Sequence, residues 1–251
     1  MLRQDALKIF SVIFYLLLAT ANPVIADIPT TPNITLSPYI AKYEATWKAG
    51  WFPVTIEAKR ELSKLEDGSW QLTFEAYSSI ADLHEASKYN IEDNTIRPLT
   101  YRYKTSGFLS KKKRGQTFDW DKRQTFIKER DEWANYELTF GTQDNLSYQE
   151  QIRLDLIAGK TEFSYQIAYK NRLKEFKFKV ANTGKIKTKN GDMNTVEVIQ
   201  INKKHKESTQ IWFAVDYEYL LIKLKNKESN GDSNTIKLKS AQINNQTLLG
   251  L

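Results

Sequence analysis

The chain has 251 residues, 41% hydrophobic and 27% charged, with a formal net charge of +7. That length suits one large or two small domains, and that composition excludes wholesale disorder. With no cysteine there is no disulfide scaffold, thiol nucleophile, zinc–thiolate site or cysteine-linked lipid anchor, and 2 histidines leave little for imidazole chemistry.

The first element reads as a targeting signal. Arg3 and Lys8 precede an apolar run from Ile9 to Ala19, which is followed by Ala21-Asn22-Pro23-Val24-Ile25-Ala26. This is the layout of a secretory signal peptide, with cleavage expected after Ala26, so that residues 1–26 are removed. The apolar run is about 11 residues, well short of the ~20 needed by a spanning helix. No later segment is apolar enough to form a transmembrane helix. The absence of cysteine agrees with an oxidising compartment, and the periplasm is the expected location. Residues 27–37, with Pro29 and Pro32 among Thr and Asn, read as a flexible lead-in. Residues 38–251 read as a single β-rich domain.

Period-two alternation dominates the rest. Tyr39, Ala41, Tyr43, Ala45 and Trp47 share one face, and Phe52, Val54, Ile56 and Ala58 form the next. Asp67-Gly68 is a hairpin signal, after which Trp70, Leu72, Phe74 and Ala76 alternate with polar residues. Weaker strands follow near 86–91 and 99–105, then through Lys112–Trp120, Gln124–Lys128 and 136–140. Asp144–Ala158 breaks the pattern. Asp144 can cap a helix whose face carries Tyr148, Ile152 and Leu156, and Gly159 stands where a C-terminal cap belongs. Strands resume with Phe163, Tyr165, Ile167 and Tyr169, then with Phe176, Phe178 and Val180. Asn190-Gly191 is a second hairpin signal and Asn230-Gly231-Asp232 a further turn. Strands through 195–201, 209–215, 219–225 and 235–243 complete about a dozen. The expected fold is mainly β: one large curved antiparallel sheet, an open half-barrel or barrel-like, with one central helix after about half the strands. A concave aromatic face can enclose a cavity, with Tyr43, Trp47, Trp70, Phe74 and Trp212 as candidate wall residues; the same residues could equally fill a core.

The order of these segments resembles a family of exported Gram-negative proteins known as the domain of unknown function numbered 3108. The resemblance rests on Tyr43-Glu44-Ala45-Thr46-Trp47 with Gly50, on Asp144-Asn145-Leu146-Ser147, on Thr183-Gly184 through Asn194-Thr195-Val196-Glu197-Val198, and above all on Ile211–Lys223. Val215 and Leu221 stand where prolines are usual in that family. The resemblance implies a periplasmic β-rich fold and no activity. A looser similarity is to periplasmic lipoprotein carriers, whose curved sheet and helix shield acyl chains, at the level of fold alone.

No nucleophile elbow or phosphate loop occurs. His84 lies near Asp82 and Glu85, and His205 lies within a run of lysines; both read as surface residues, not as a metal or acid–base centre. No catalytic constellation is visible, so a non-enzymatic role without cofactor or metal is expected. Lys111, Lys112, Lys113 and Arg114 form the densest basic run. In an exported protein nucleic acid is not the partner. The run suits an anionic envelope surface, or a solvated hairpin that blunts a sheet edge. Three roles remain open. The first is a carrier of a lipid or other hydrophobic envelope molecule. The second is a structural component that binds an envelope protein. The third is an outer-membrane β-barrel, against which Lys112 and Arg114 share a strand face with Phe118, and Lys223 and Lys225 with Tyr219.

Overall fold

The computed structural model describes residues 34–251 apart from 50–51, 79–80, 108–111, 130–131, 170–171, 190, 202–206 and 230–231. The expected signal (1–26), most of the lead-in, Gly50, Lys111, Asn190, His205 and the Asn230-Gly231 turn therefore lie outside the described residues. The strands are β1 (Tyr39–Ala49), β2 (Phe52–Lys64), β3 (Trp70–Tyr77), β4 (Ala81–Glu92), β5 (Thr95–Gly107), β6 (Lys112–Asp119), β7 (Gln124–Glu129) and β8 (Glu132–Glu137). Helix α1 (Ser147–Ile157) precedes β9 (Glu162–Tyr169), β10 (Arg172–Thr188), β11 (Gly191–Gln200), β12 (Ser208–Ala214), β13 (Leu220–Lys227), β14 (Ser233–Ile243) and β15 (Gln246–Leu249).

Period-two alternation becomes an inside and an outside. Tyr39, Ala41 and Tyr43 are buried, whereas Ile40 between them is 40% exposed. Tight turns keep successive strands adjacent. Gly68 takes φ +81° after Asp67, whose carboxylate accepts the Ser69 N–H at 3.1 Å. Asp93-Asn94 and Asn244-Asn245 are left-handed at both positions, the geometry that joins strands through two residues with the correct twist.

Among the described residues, fifteen strands form one antiparallel sheet. Its order is β8 to β1 in descending sequence, then β14 down to β9, with β15 on β14. Two meanders, one on each side of the helix in sequence, are thus joined by β1 and β14, with Tyr39 opposite Ile243. The sheet is not closed into a barrel: β8 and β9 end its path. It curls until its two halves approach. Gln116 on β6 donates Nε2–H to the Ala168 carbonyl on β9 at 2.7 Å, and Gln143 pairs in parallel with Ile167. A connecting segment and side chains, not a strand ladder, cover the β9 edge there.

The helix lies within the curl. Asp144 precedes it and accepts the N–H groups of Leu146 (2.8 Å) and Ser147 (2.7 Å) and the Ser87 hydroxyl (2.6 Å). Gly159, at φ +77°, and Lys160 donate to the Leu156 and Asp155 carbonyls, closing the helix with a Schellman turn. The expected face of Tyr148, Ile152 and Leu156 is buried, but so are Ser147, Glu150, Gln151, Arg153 and Asp155. The helix therefore needs polar partners on the inner face of the sheet. Tyr165 donates to Asp155 at 2.6 Å, and Gln151 accepts the Ile96 N–H at 2.7 Å.

Candidate functional site

A cavity of about 730 Å³ occupies the end of the curl where β5 leads to β6, β9 to β10 and β13 to β14. Its walls come from both meanders: Phe74, Leu83 and Tyr103 on one side, Leu221, Leu224 and Ile236 on the other. The start of the helix, with Asn145, Leu146, Tyr148 and Gln149, forms its floor. The cavity is partly open and its lining exposes more polar than apolar surface; the apolar part of the wall follows from strand alternation. The floor follows from Asp144, which fixes where the helix begins.

One row across the inner face is unusual. Register places Arg60, Phe74, Glu85, Tyr103 and Arg114 side by side on five successive strands. Charged groups thus alternate with aromatic rings along one cavity wall. Arg60 anchors one end. It donates to Tyr39 Oη (2.8 Å), Gln149 Oε1 (2.5 Å) and Glu150 Oε1 (2.9 Å). Glu150 also accepts from Arg153 at 2.5 Å and from Tyr39 at 2.8 Å. Burial alone would raise the Glu150 carboxyl, but Arg153 and Arg60 outweigh it and hold the group below its ordinary value. Glu85 lacks such pairing. Burial pushes its carboxyl up to about 7, although Tyr101 donates to it at 3.1 Å. At the far end, the Arg114 guanidinium lies 4.9 Å from the Tyr103 ring centre. Lys174 lies 5.3 Å from the ring centre of Phe176, also on the wall.

The residues expected at the site are partly brought together. Tyr43 and Phe74 line the cavity. Tyr43 donates its hydroxyl to the Leu221 carbonyl at 2.7 Å, and burial pushes its ionisation well above the ordinary range. Trp70 and Trp212 do not line this cavity. Trp70 faces inward but opens β3, four residues before Phe74, and is buried and capped by Lys64 5.8 Å from its ring, so it belongs to the core. Trp212 lies on the other face from buried Ile211 and Phe213, where Lys223 sits 4.2 Å from its ring, so it is not a wall residue. The side chain of Trp47 and all of Lys111 lie outside the described residues. Of the remaining basic run, Lys112 and Lys113 are exposed, while Arg114 turns inward onto the cavity wall. His84 is exposed, 3.1 Å from Glu75. Other aromatics fill space: Phe163, Tyr165 and Phe178 pack between helix and sheet, Phe178 against the Tyr148 ring. Arg60 was not among the expected site residues, and Glu85 was read only as a neighbour of His84. Their signal was a charge at an inward position, Arg60 between Ala58 and Leu62, and Glu85 between Leu83 and Ser87.

No curated protein matches the chain. Among solved structures, a β-barrel-like protein of the domain of unknown function DUF1849 from Brucella abortus covers 85% of this chain and 100% of its own, at 10% identity and a TM-score of 0.59. That likeness concerns the fold alone. A domain named for outer membrane lipoprotein sorting, from Vibrio parahaemolyticus, covers 83% of this chain and 86% of its own at 11% identity, with a TM-score of 0.24. The model of the family described as protein of unknown function (DUF3108) matches residues 42–239, and the chain belongs to that family.

Proposed function

We infer that this is a non-catalytic binding protein of the cell envelope that holds one amphipathic, lipid-like molecule in the cavity of its curled sheet. The observation that carries the reading is the cavity itself. At about 730 Å³ it falls within the range of small-ligand sites, roughly 300–1,000 Å³. An apolar tail against Phe74, Leu83, Leu221, Leu224 and Ile236 would gain about 2.5 kcal/mol per 100 Å² removed from water. The charged row and the amides of Asn145 and Gln149 would receive a polar portion. Export to the periplasm rests on residues 1–26, whose composition is that of a cleaved signal. An outer-membrane barrel fits less well, because the sheet is open and its outer face carries Lys59, Lys88 and Lys239 paired with acids.

The test is native mass spectrometry of the full chain, expressed with residues 1–26 and purified without detergent from the periplasmic fraction, followed by solvent extraction. A defined co-purifying amphiphile is expected. A clean apoprotein that also fails to take up a fluorescent fatty acid would refute the reading. A single stoichiometric protein partner with no amphiphile would replace it by a structural role in the envelope.

A further inference from the structure

We propose that the polar end of the ligand is an anion of phosphate or carboxylate chemistry, gripped by Arg114, Arg172 and Lys174 where the curled sheet meets itself. This deepens the proposed function and rests on the cavity being a binding site. The three cations come from strands far apart in the sheet order, β6 and β10. What brings them together is the Gln116–Ala168 hydrogen bond, 2.7 Å long. Arg114 lies two residues before Gln116 on the same face, so it is displaced toward the cavity mouth by roughly 7 Å. Tyr169 follows Ala168, and register sets Arg172 directly opposite Tyr169. Lys174 is two residues further on, on the same face of β10 as Arg172. All three line the one cavity.

Arg114 and Lys174 are half-buried, a setting that suits anion capture better than a solvated basic face does, and Arg172 stands exposed beside them. Arg114 lies against Tyr103, and Lys174 lies against Phe176 and Tyr169, at 4.9, 5.3 and 5.8 Å from the ring centres. Rings hold such side chains along a wall and lower the entropy lost when they engage a ligand. Acids are present too. Glu85 lies two strands from Arg114, and Glu207 and Glu228 flank β12 and β13 at the rim. The cation pair on β10 is what sets the β6–β10 side apart, and a bidentate anion bridging it to Arg114 would form charge-assisted bonds to both meanders.

Calorimetric titration of the full chain with dodecyl phosphate, dodecyltrimethylammonium, octyl glucoside and inorganic phosphate, each below its micellar concentration, tests this. Dodecyl phosphate is expected to bind more tightly than the ammonium amphiphile by a factor of about 10 or more. The R172A/K174A variant should lose about tenfold toward dodecyl phosphate and keep its affinity for octyl glucoside. The R172E/K174E variant should invert the order of the two charged amphiphiles. Circular dichroism melts check that both variants fold. Equal binding of the two charged amphiphiles, unmoved by either variant while octyl glucoside still binds, would overturn the anion site and leave the cavity reading standing. Inorganic phosphate matching dodecyl phosphate, with octyl glucoside silent, would overturn the amphiphile and leave a free-anion site. No binding of any probe would overturn both.

Discussion

Replacing Glu85 by glutamine should stabilise the protein at alkaline pH and do much less at acid pH. Glu85 faces the cavity between Phe74 and Tyr103, accepting one hydrogen bond from Tyr101 at 3.1 Å. Burial raises its carboxyl from an ordinary 4.5 to about 7. Between these values the folded state holds a proton that the unfolded chain has released. Stability contributed by this site is therefore fully present below about pH 4.5 and declines as pH rises through about 7. One pH unit of difference corresponds to about 1.4 kcal/mol, so the whole span amounts to about 3 kcal/mol. Glu85 is only partly buried, so screening by solvent brings the expected effect to about 1–2 kcal/mol. Glutamine cannot ionise and still accepts from Tyr101. Urea denaturation of wild type and E85Q from pH 4 to pH 8, compared at matched slopes, measures the difference. The gap in favour of E85Q should open by about 1–2 kcal/mol between those limits. A gap constant across the range, or one that closes as pH rises, would refute the assignment of Glu85 as a desolvated acid.

Other outcomes follow from the same geometry. Glu150→Ala leaves Arg60 and Arg153 buried without their shared carboxylate, and should cost about 3–5 kcal/mol in urea denaturation. A loss below about 1 kcal/mol would mean that water reaches these groups freely. Asp144→Ala removes acceptors for the N–H groups of Leu146 and Ser147 at the start of the helix and for the Ser87 hydroxyl, in a buried setting. It should cost about 2–3 kcal/mol, more than the ~1 kcal/mol of an exposed cap, and a smaller loss in denaturation would count against the anchor. A Cβ at Gly250 would run into the Leu238 carbonyl, so Gly250→Ala should lower the melting temperature, and an unchanged melt would show that the C-terminal strand moves aside easily. Phe74→Ala should weaken amphiphile binding while Trp212→Ala leaves it intact; the reverse result in a fluorescent fatty-acid assay would put the site on the wrong face of the sheet.

Much of the architecture was local and therefore legible. Tyr39, Ala41 and Tyr43 announce an inward face because successive strand side chains point to opposite sides. Asp67-Gly68 announces a turn because glycine takes positive φ without steric cost. Asp144 and Gly159 bracket the helix because one satisfies its first N–H groups and the other its last carbonyls. The family signature through Ile211–Lys223 was likewise a matter of local order, and the family model spans that segment.

Tertiary structure decided the site. Alternation sorts residues into two faces, but it does not say which end of a strand the helix will plug. Trp70 and Phe74 share a face four residues apart, yet the helix and its packing leave only Phe74 on the cavity. Trp212 belongs to an aromatic strand, but its neighbours Ile211 and Phe213 took the interior. Arg60 and Glu150 are 90 positions apart, and Gln116 and Ala168 are 52 apart. Such pairings depend on how the sheet curls and on β1 meeting β14. A linear sequence fixes the polarity of each strand face through near neighbours. The meeting of charges across the cavity is set by the folding of distant strands onto one another, where desolvation makes each buried charge depend on a partner that no local pattern contains.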